Sequence, residues 1–295
     1  PNEGDRGVYV PAASIPASGV TNWLAGRKTD RVGRVLELVS EGKVNHFAAV
    51  VDGTFRYFRD GEITVSYTWN DIRDNTSYNG NVANTATLAL MVKDDPRDLS
   101  RMTYSDNHFR NKVVFYGTLP TFYGVSVGLR YSGIGGTRYS LRVNGNVNGD
   151  FVNSNDLAYV FDPADEKYGE AMTGLLDNPD VDAGMKEYLR GSTGTVAERN
   201  GGENGFFGVW DLRVGKRFKT FGTQYLELSG DIFNVANLLN KKRGTTRTLG
   251  HQNLYNLTGF DPVTTTYNYG VNANAGVITP TGNPYQIQLG VRYGF

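Results

Sequence analysis

Alternation with a period of two is the feature that most constrains this chain. Successive side chains of a strand point to opposite sheet faces, so an apolar/polar alternation marks a half-buried strand. The final segment carries it unbroken. Tyr285, Ile287, Leu289, Val291, Tyr293 and Phe295 share one face, and Gln286, Gln288, Gly290, Arg292 and Gly294 share the other. Trp210, Leu212, Val214 and Phe218 oppose Asp211, Arg213, Gly215 and Arg217, while Leu226, Leu228 and Ile232 oppose Glu227, Ser229 and Asp231. The pattern recurs over residues 47–57, 63–69, 109–119 and 123–131, and a weaker first strand is predicted over 32–40. About eight strands are expected.

Alternation alone also fits a soluble sandwich. Three further features favour a membrane wall. The segments run ~9–11 residues, the length of a tilted strand crossing a bilayer, where soluble strands run ~5–6. Aromatics such as Tyr57, Trp69, Tyr131, Trp210, Phe218, Tyr225 and Tyr293 gather at strand ends, as in the girdles of membrane barrels. Short connections (59–61, 120–121, 219–223) alternate with long ones (about 70–108, 134–206 and 236–284), of 39, 73 and 49 residues. The predicted fold is all-β, a transmembrane antiparallel up-and-down β-barrel spanning 32–295, with short helices in long extracellular loops and a periplasmic C-terminus. Residues 1–31 are expected to link it to missing upstream barrel, because the chain starts Pro-Asn-Glu-Gly without an initiator Met.

Composition removes several alternatives. Thirty Lys and Arg balance thirty Asp and Glu, so the basic field of a nucleic-acid partner is missing. There is no cysteine, hence no disulfide or thiolate chemistry. The longest apolar run, 88–92, falls far short of the ~20 residues of a membrane-spanning helix. His46, His108 and His251 sit on separate predicted elements, and no nucleophile elbow or phosphate loop is present. No catalytic residue is expected.

Several motifs resemble the TonB-dependent outer-membrane receptors, closest to the large subgroup with an N-terminal carboxypeptidase-regulatory-like domain. Trp-Asp-Leu-Arg-Val-Gly-Lys-Arg-Phe (210–218) resembles their penultimate hairpin, and Leu226 to Asn237 their strand followed by Asp-x-Phe-Asn-x-x-Asn. Asn-Val-Asn-Gly-Asp (146–150), Asn-Asp-Leu-Ala-Tyr-Val (155–160) and Glu-Arg-Asn-Gly (198–201) resemble loop motifs of the same receptors, although Asn146 and Phe151 stand where Asp and Gly are usual. The terminal Leu289, Val291, Tyr293 and Phe295 are similar to the signal read by the barrel-assembly machinery. The resemblance implies a barrel of about 22 strands, of which this chain supplies the C-terminal part. It also implies an upstream N-terminal plug domain, TonB with its inner-membrane motor, and placement in the outer membrane of a Gram-negative bacterium. The expected function is energy-coupled uptake of a large solute: a peptide, glycan or chelate. The alternative is a structural, adhesion or secretion-associated barrel in a larger envelope assembly, with a surface lipoprotein as partner.

Two groups of residues are candidate sites. Arg130, Asp211, Arg213, Arg217, Glu227, Asp231 and Arg292, with Glu37, Asp52, Arg56, Arg110 and Lys112, are predicted to face a polar lumen or a plug. Charges facing lipid would cost ~2–4 kcal/mol each; cross-strand ion pairing in a wet interior is the plainer role for any one of them. Asn146, Asn148, Asp150, Asn155 and Asp156 place oxygen ligands at nearly alternate positions, which suits calcium and equally an ordinary Asx-turn loop. Asp162-Pro163 and Asn178-Pro179-Asp180 are predicted to start two loop helices, the second stopped by Gly191.

Overall fold

The computed structural model describes residues 3–33, 35, 37, 39–58, 60–77, 90–93, 95–150 and 152–295. Two long strands, β1 (Val44–Tyr57) and β2 (Gly61–Asp74), precede the two-residue β3 (Thr103–Tyr104), then β4 (Asn111–Thr118) and β5 (Val125–Gly135). The short β6 (Arg138–Tyr139) and β7 (Leu141–Asn144) lead to helices Gly169–Asp177 and Ala183–Ser192. There follow β8 (Gly202–Glu203), β9 (Phe207–Lys219), β10 (Tyr225–Phe233), a short helix Val235–Leu239, β11 (Gln252–Asp261), β12 (Thr266–Val271) and β13 (Gln286–Gly294).

The seven long strands form one sheet in the order β1-β2-β4-β5-β9-β10-β13, with β3 beside the end of β2. Every neighbouring pair is antiparallel. Short turns join the strands at one end, and the connections 75–110, 136–206 and 234–285 leave from the other. The turn between β4 and β5 is tight. Tyr123 and Gly124 both hold positive φ, 49° and 77°, and Phe122 and Val125 exchange two backbone hydrogen bonds at 3.0 and 2.8 Å. That turn takes Tyr123 out of the strand that its alternation predicts.

The described strands form an open sheet and do not close into a barrel: β1 and β13 each have one strand neighbour. Of the strand expected over 32–40, residues 34, 36 and 38 lie outside the described residues, and the residues between them are not in a strand.

The long connections fold together into a loop assembly with its own core. β11 pairs antiparallel with β12 and parallel with β7, and β6 pairs with β8. Tyr139, Leu141, Val143, Leu254 and Tyr255 from these strands are buried against Met172, Leu175, Met185 and Leu189 from the two longer helices. Residues of the N-terminal segment close the same core, with Val10 and Ile15 buried in it. Among the described residues, no buried apolar side chain comes from the seven long strands.

Both helices start later than their sequence signals predict. Asp162 caps only a turn, accepting from Ala164 N–H at 2.7 Å, and Asp165 accepts from Lys167 and Tyr168 N–H before the first helix begins. The second helix is capped by Asp182, whose Oδ1 accepts from Met185 N–H at 3.1 Å. Val181 is held in an extended bridge with Val277, which postpones that start. The helix runs through Gly191 to Ser192.

Candidate functional site

The register of the large sheet sorts its side chains onto two unlike faces. Leu129, Leu212, Ile232 and Ile287 stand opposite one another across four strands, as do Val127, Val214, Gly230 and Leu289. Val65, Phe115, Tyr131 and Trp210 continue the same face. Among the described residues nothing covers it: Leu289 is 81% exposed, Val291 74% and Phe55 67%. Tyr293 belongs to this face, and Phe295 lies just beyond β13.

The opposite face brings together the charges singled out by alternation. Arg130 faces Asp211 across β5 and β9, and Arg292 faces Glu227 across β13 and β10. Arg213 and Asp231 pair at 3.2 Å, Arg217 and Glu227 at 2.9 Å, and Arg56 and Glu62 at 2.7 Å. Thr54 and Thr64 share a hydrogen bond of 2.9 Å on the same face. A shallow groove of about 290 Å³ runs over it, lined by Glu62, Tyr116, Arg130, Asp211, Arg213 and Asp231. Lys112 stands opposite Thr68 and Asp52 opposite Ser66, in the same phase. Arg110 and Glu37 lie outside the long strands.

On the apolar face, glycines make room for rings. Tyr131 and Trp210 lie with centroids 4.4 Å apart. A Cβ added to Gly208 would meet the Tyr131 hydroxyl at 2.3 Å; on the polar face, one added to Gly294 would meet the Tyr225 ring at 2.3 Å. An aromatic laid over a cross-strand glycine shields backbone that would otherwise be bare.

In the loop assembly the five Asx residues converge. Asn146, Asn148, Asp150, Asn155 and Asp156 are all buried. Asn148 and Asn155 both donate to Asp150 Oδ2, at 3.2 and 3.1 Å. Asp156 Oδ2 accepts from Val147 N–H at 2.8 Å, and Asn146 Oδ1 from Gly149 N–H at 2.8 Å. Asn155 Oδ1 and Asp156 Oδ1 have no hydrogen-bond partner. Arg6 Nη1 is 3.9 Å from Asp156 Oδ1, an ion pair too long for a hydrogen bond. Burial pushes the Asp156 carboxyl up to about 7, against the pull of Arg6. Phe151 lies outside the described residues.

Near this cluster, with Arg6 in its wall, lies a cavity of about 640 Å³. The N-terminal segment forms one wall with Arg6, Val8 and Val10, and Phe161, Tyr168 and Tyr267 form the others. Its size and mixed lining suit a small organic ligand.

Some residues that organise the loop end carry no sequence signal beyond their type. Tyr104 gathers three guanidinium groups. Arg138 lies 3.6 Å from its ring centroid, and Arg73 and Arg110 donate to its hydroxyl at 3.2 Å. Beside it, burial and then Arg138 and Arg110 hold His108 down to about 4. Arg199 pairs with Asp74 at 2.6 Å, both buried, and donates to Ser77 Oγ at 2.8 Å. It thereby ties the Glu-Arg-Asn-Gly segment to the end of β2. Only long-range contacts reveal these roles. No protein-family model matches this chain, and no curated protein is significantly similar to it.

Proposed function

We propose that the large sheet is part of the wall of an outer-membrane β-barrel, and that the barrel is a TonB-dependent receptor for energy-coupled solute uptake. One observation carries the reading: seven antiparallel strands expose an apolar face that no layer of the described residues covers, while their charges pair on the other face. In water, so large an apolar surface would drive association. Against lipid tails it is the stable arrangement. Hydrocarbon tolerates no unpaired backbone, so further strands must meet the free edges of β1 and β13. A larger barrel, of about 22 strands as in outer-membrane transporters, provides them, and its lumen holds the polar face against a plug. The loop assembly then stands outside the cell, its cavity open to a peptide, glycan or chelate. Uptake of this kind remodels a plug through TonB and assigns no bond chemistry to these residues.

The test compares Leu289→Arg with Gln288→Arg in cells. The first puts a charge in lipid, at ~2–4 kcal/mol near the midplane, and should deplete the protein from the outer membrane. The second adds a charge to the polar face and should not. Recovery of the unaltered protein in the aqueous phase without detergent would overturn the membrane reading. Solute accumulation that persists after the inner-membrane proton gradient is collapsed would overturn the TonB reading alone.

A further inference from the structure

The geometry points to a calcium site in the loop assembly, built on Asp150, Asn155 and Asp156 and completed by oxygens of Asn146 and Asn148. It stands independently of the transport reading.

Three observations support it. The first is orphaned oxygen. Asn155 Oδ1 and Asp156 Oδ1 belong to residues 1% and 0% exposed, and neither accepts a hydrogen bond. Buried polar atoms without partners are rare and mark a missing group. Each sits on a side chain whose other polar atom is tied into the cluster. Asn155 Nδ2 donates to Asp150 Oδ2, and Asp156 Oδ2 accepts from Val147 N–H. The second is charge. Arg6 reaches Asp156 at 3.9 Å and is shared with Glu3 at 3.2 Å. Asp150 adds its negative charge beside Asp156, so the carboxylates here outnumber the guanidinium paired with them.

The third is the carboxamides. The carboxamide nitrogen of Asn155 holds Asp150 Oδ2 at 3.1 Å, which leaves its carbonyl oxygen free to act as a ligand next to that carboxylate. Calcium accepts such mixed carboxylate and carbonyl sets, and magnesium demands a tighter octahedron. With two carboxylates as direct ligands, the affinity belongs to the range of extracellular modules, on the order of 10⁻⁴–10⁻³ M.

The experiment uses the full chain in detergent, treated with a chelator, and titrates calcium chloride by calorimetry and by thermal melting of the loop assembly. The expected result is one ion per chain with a higher melting temperature, and magnesium weaker by tenfold or more. Asp156→Asn should weaken binding at least tenfold, and Asn155→Asp, which adds a carboxylate, should tighten it several-fold. No heat and no melting shift up to 10 mM calcium, roughly tenfold above the weakest affinity of that range, would sink the proposal. So would unchanged affinity in both variants. Should Asp156→Asn fail to fold, Asn155→Asp and the unaltered protein decide the question alone.

Discussion

The hydroxyl of Tyr131 on β5 lies over Gly208 on β9, 2.3 Å from where a Cβ would stand. The two residues sit two registers apart on the same face, since Tyr131 pairs with Trp210. The ring thus occupies the space that a side chain at 208 would fill. Gly208→Val should therefore displace Tyr131 from its stack on Trp210 and destabilise the sheet by about 1–3 kcal/mol, the usual range for overpacking. Urea unfolding in detergent, followed by tryptophan fluorescence, measures both effects. Gly222→Val is the control: its own positive φ is strained, but its added Cβ meets nothing within 4 Å, so the Tyr131–Trp210 stack should survive there.

Arg199 joins the loop assembly to the large sheet through a buried ion pair. Its partner Asp74 is the last residue of β2. Removing one member leaves the other charged and buried, which costs about 3–5 kcal/mol. Arg199→Met should loosen the segment around Asn200 and raise amide exchange at Ser77 and Asp106. Replacing Asp74 and Arg199 together by apolar residues should recover much of the loss.

The free edge of β12 is closed by a side chain. Tyr168 Oη accepts from Tyr269 N–H at 3.2 Å and donates to Tyr267 C=O at 3.3 Å, as a neighbouring strand would. Tyr168→Phe should keep the ring packing against Phe161 and lose about 1–3 kcal/mol, the cost of leaving buried polar groups unpaired. Faster hydrogen exchange at Tyr269 is the readout. An unchanged rate would show that another group closes the edge.

The rim of the sheet carries a pH dependence. His108 is fully buried among Arg138 and Arg110, and its value falls from the ordinary 6.5 to about 4. Protons therefore bind the unfolded chain more readily than the folded one. Stability is complete above pH 6.5 and declines as pH falls toward 4, by about 3 kcal/mol at 1.36 kcal/mol per unit. Asp156, with its carboxyl raised to about 7, acts with the opposite sign over the same range, so the slope is read as a difference: the gap in denaturation midpoint between the unaltered protein and His108→Gln should change by this amount between pH 7 and 4.

The large antiparallel sheet was legible in sequence because each strand is long enough for alternation to outlast local noise. Ile287, Leu289 and Val291 needed no partner to declare their face. The weak alternation over 32–40 had no such reserve. The loop assembly resisted reading for a different reason. β7 is short and pairs in parallel with β11, bringing Leu141 beside Gln252, so no local period betrays that pairing. The Asx residues of 146–156 could be seen in the sequence, since turn and ligand chemistry use the same side chains. Their charge partner could not, because Arg6 arrives from the far end of the chain. Helix starts were misplaced where Asp162 and Asn178 formed turns that tertiary contacts kept from propagating.

The separation of the buried core from the large sheet has a calorimetric consequence. Heat-capacity change on unfolding tracks apolar surface newly wetted, and the loop assembly holds the buried apolar side chains described. On the proposed membrane reading, the large sheet exchanges one apolar surrounding for another when its strands part in detergent or lipid. The curvature of the stability curve, and with it any weakening in the cold, therefore belongs to the loops. The strands should respond to temperature almost linearly.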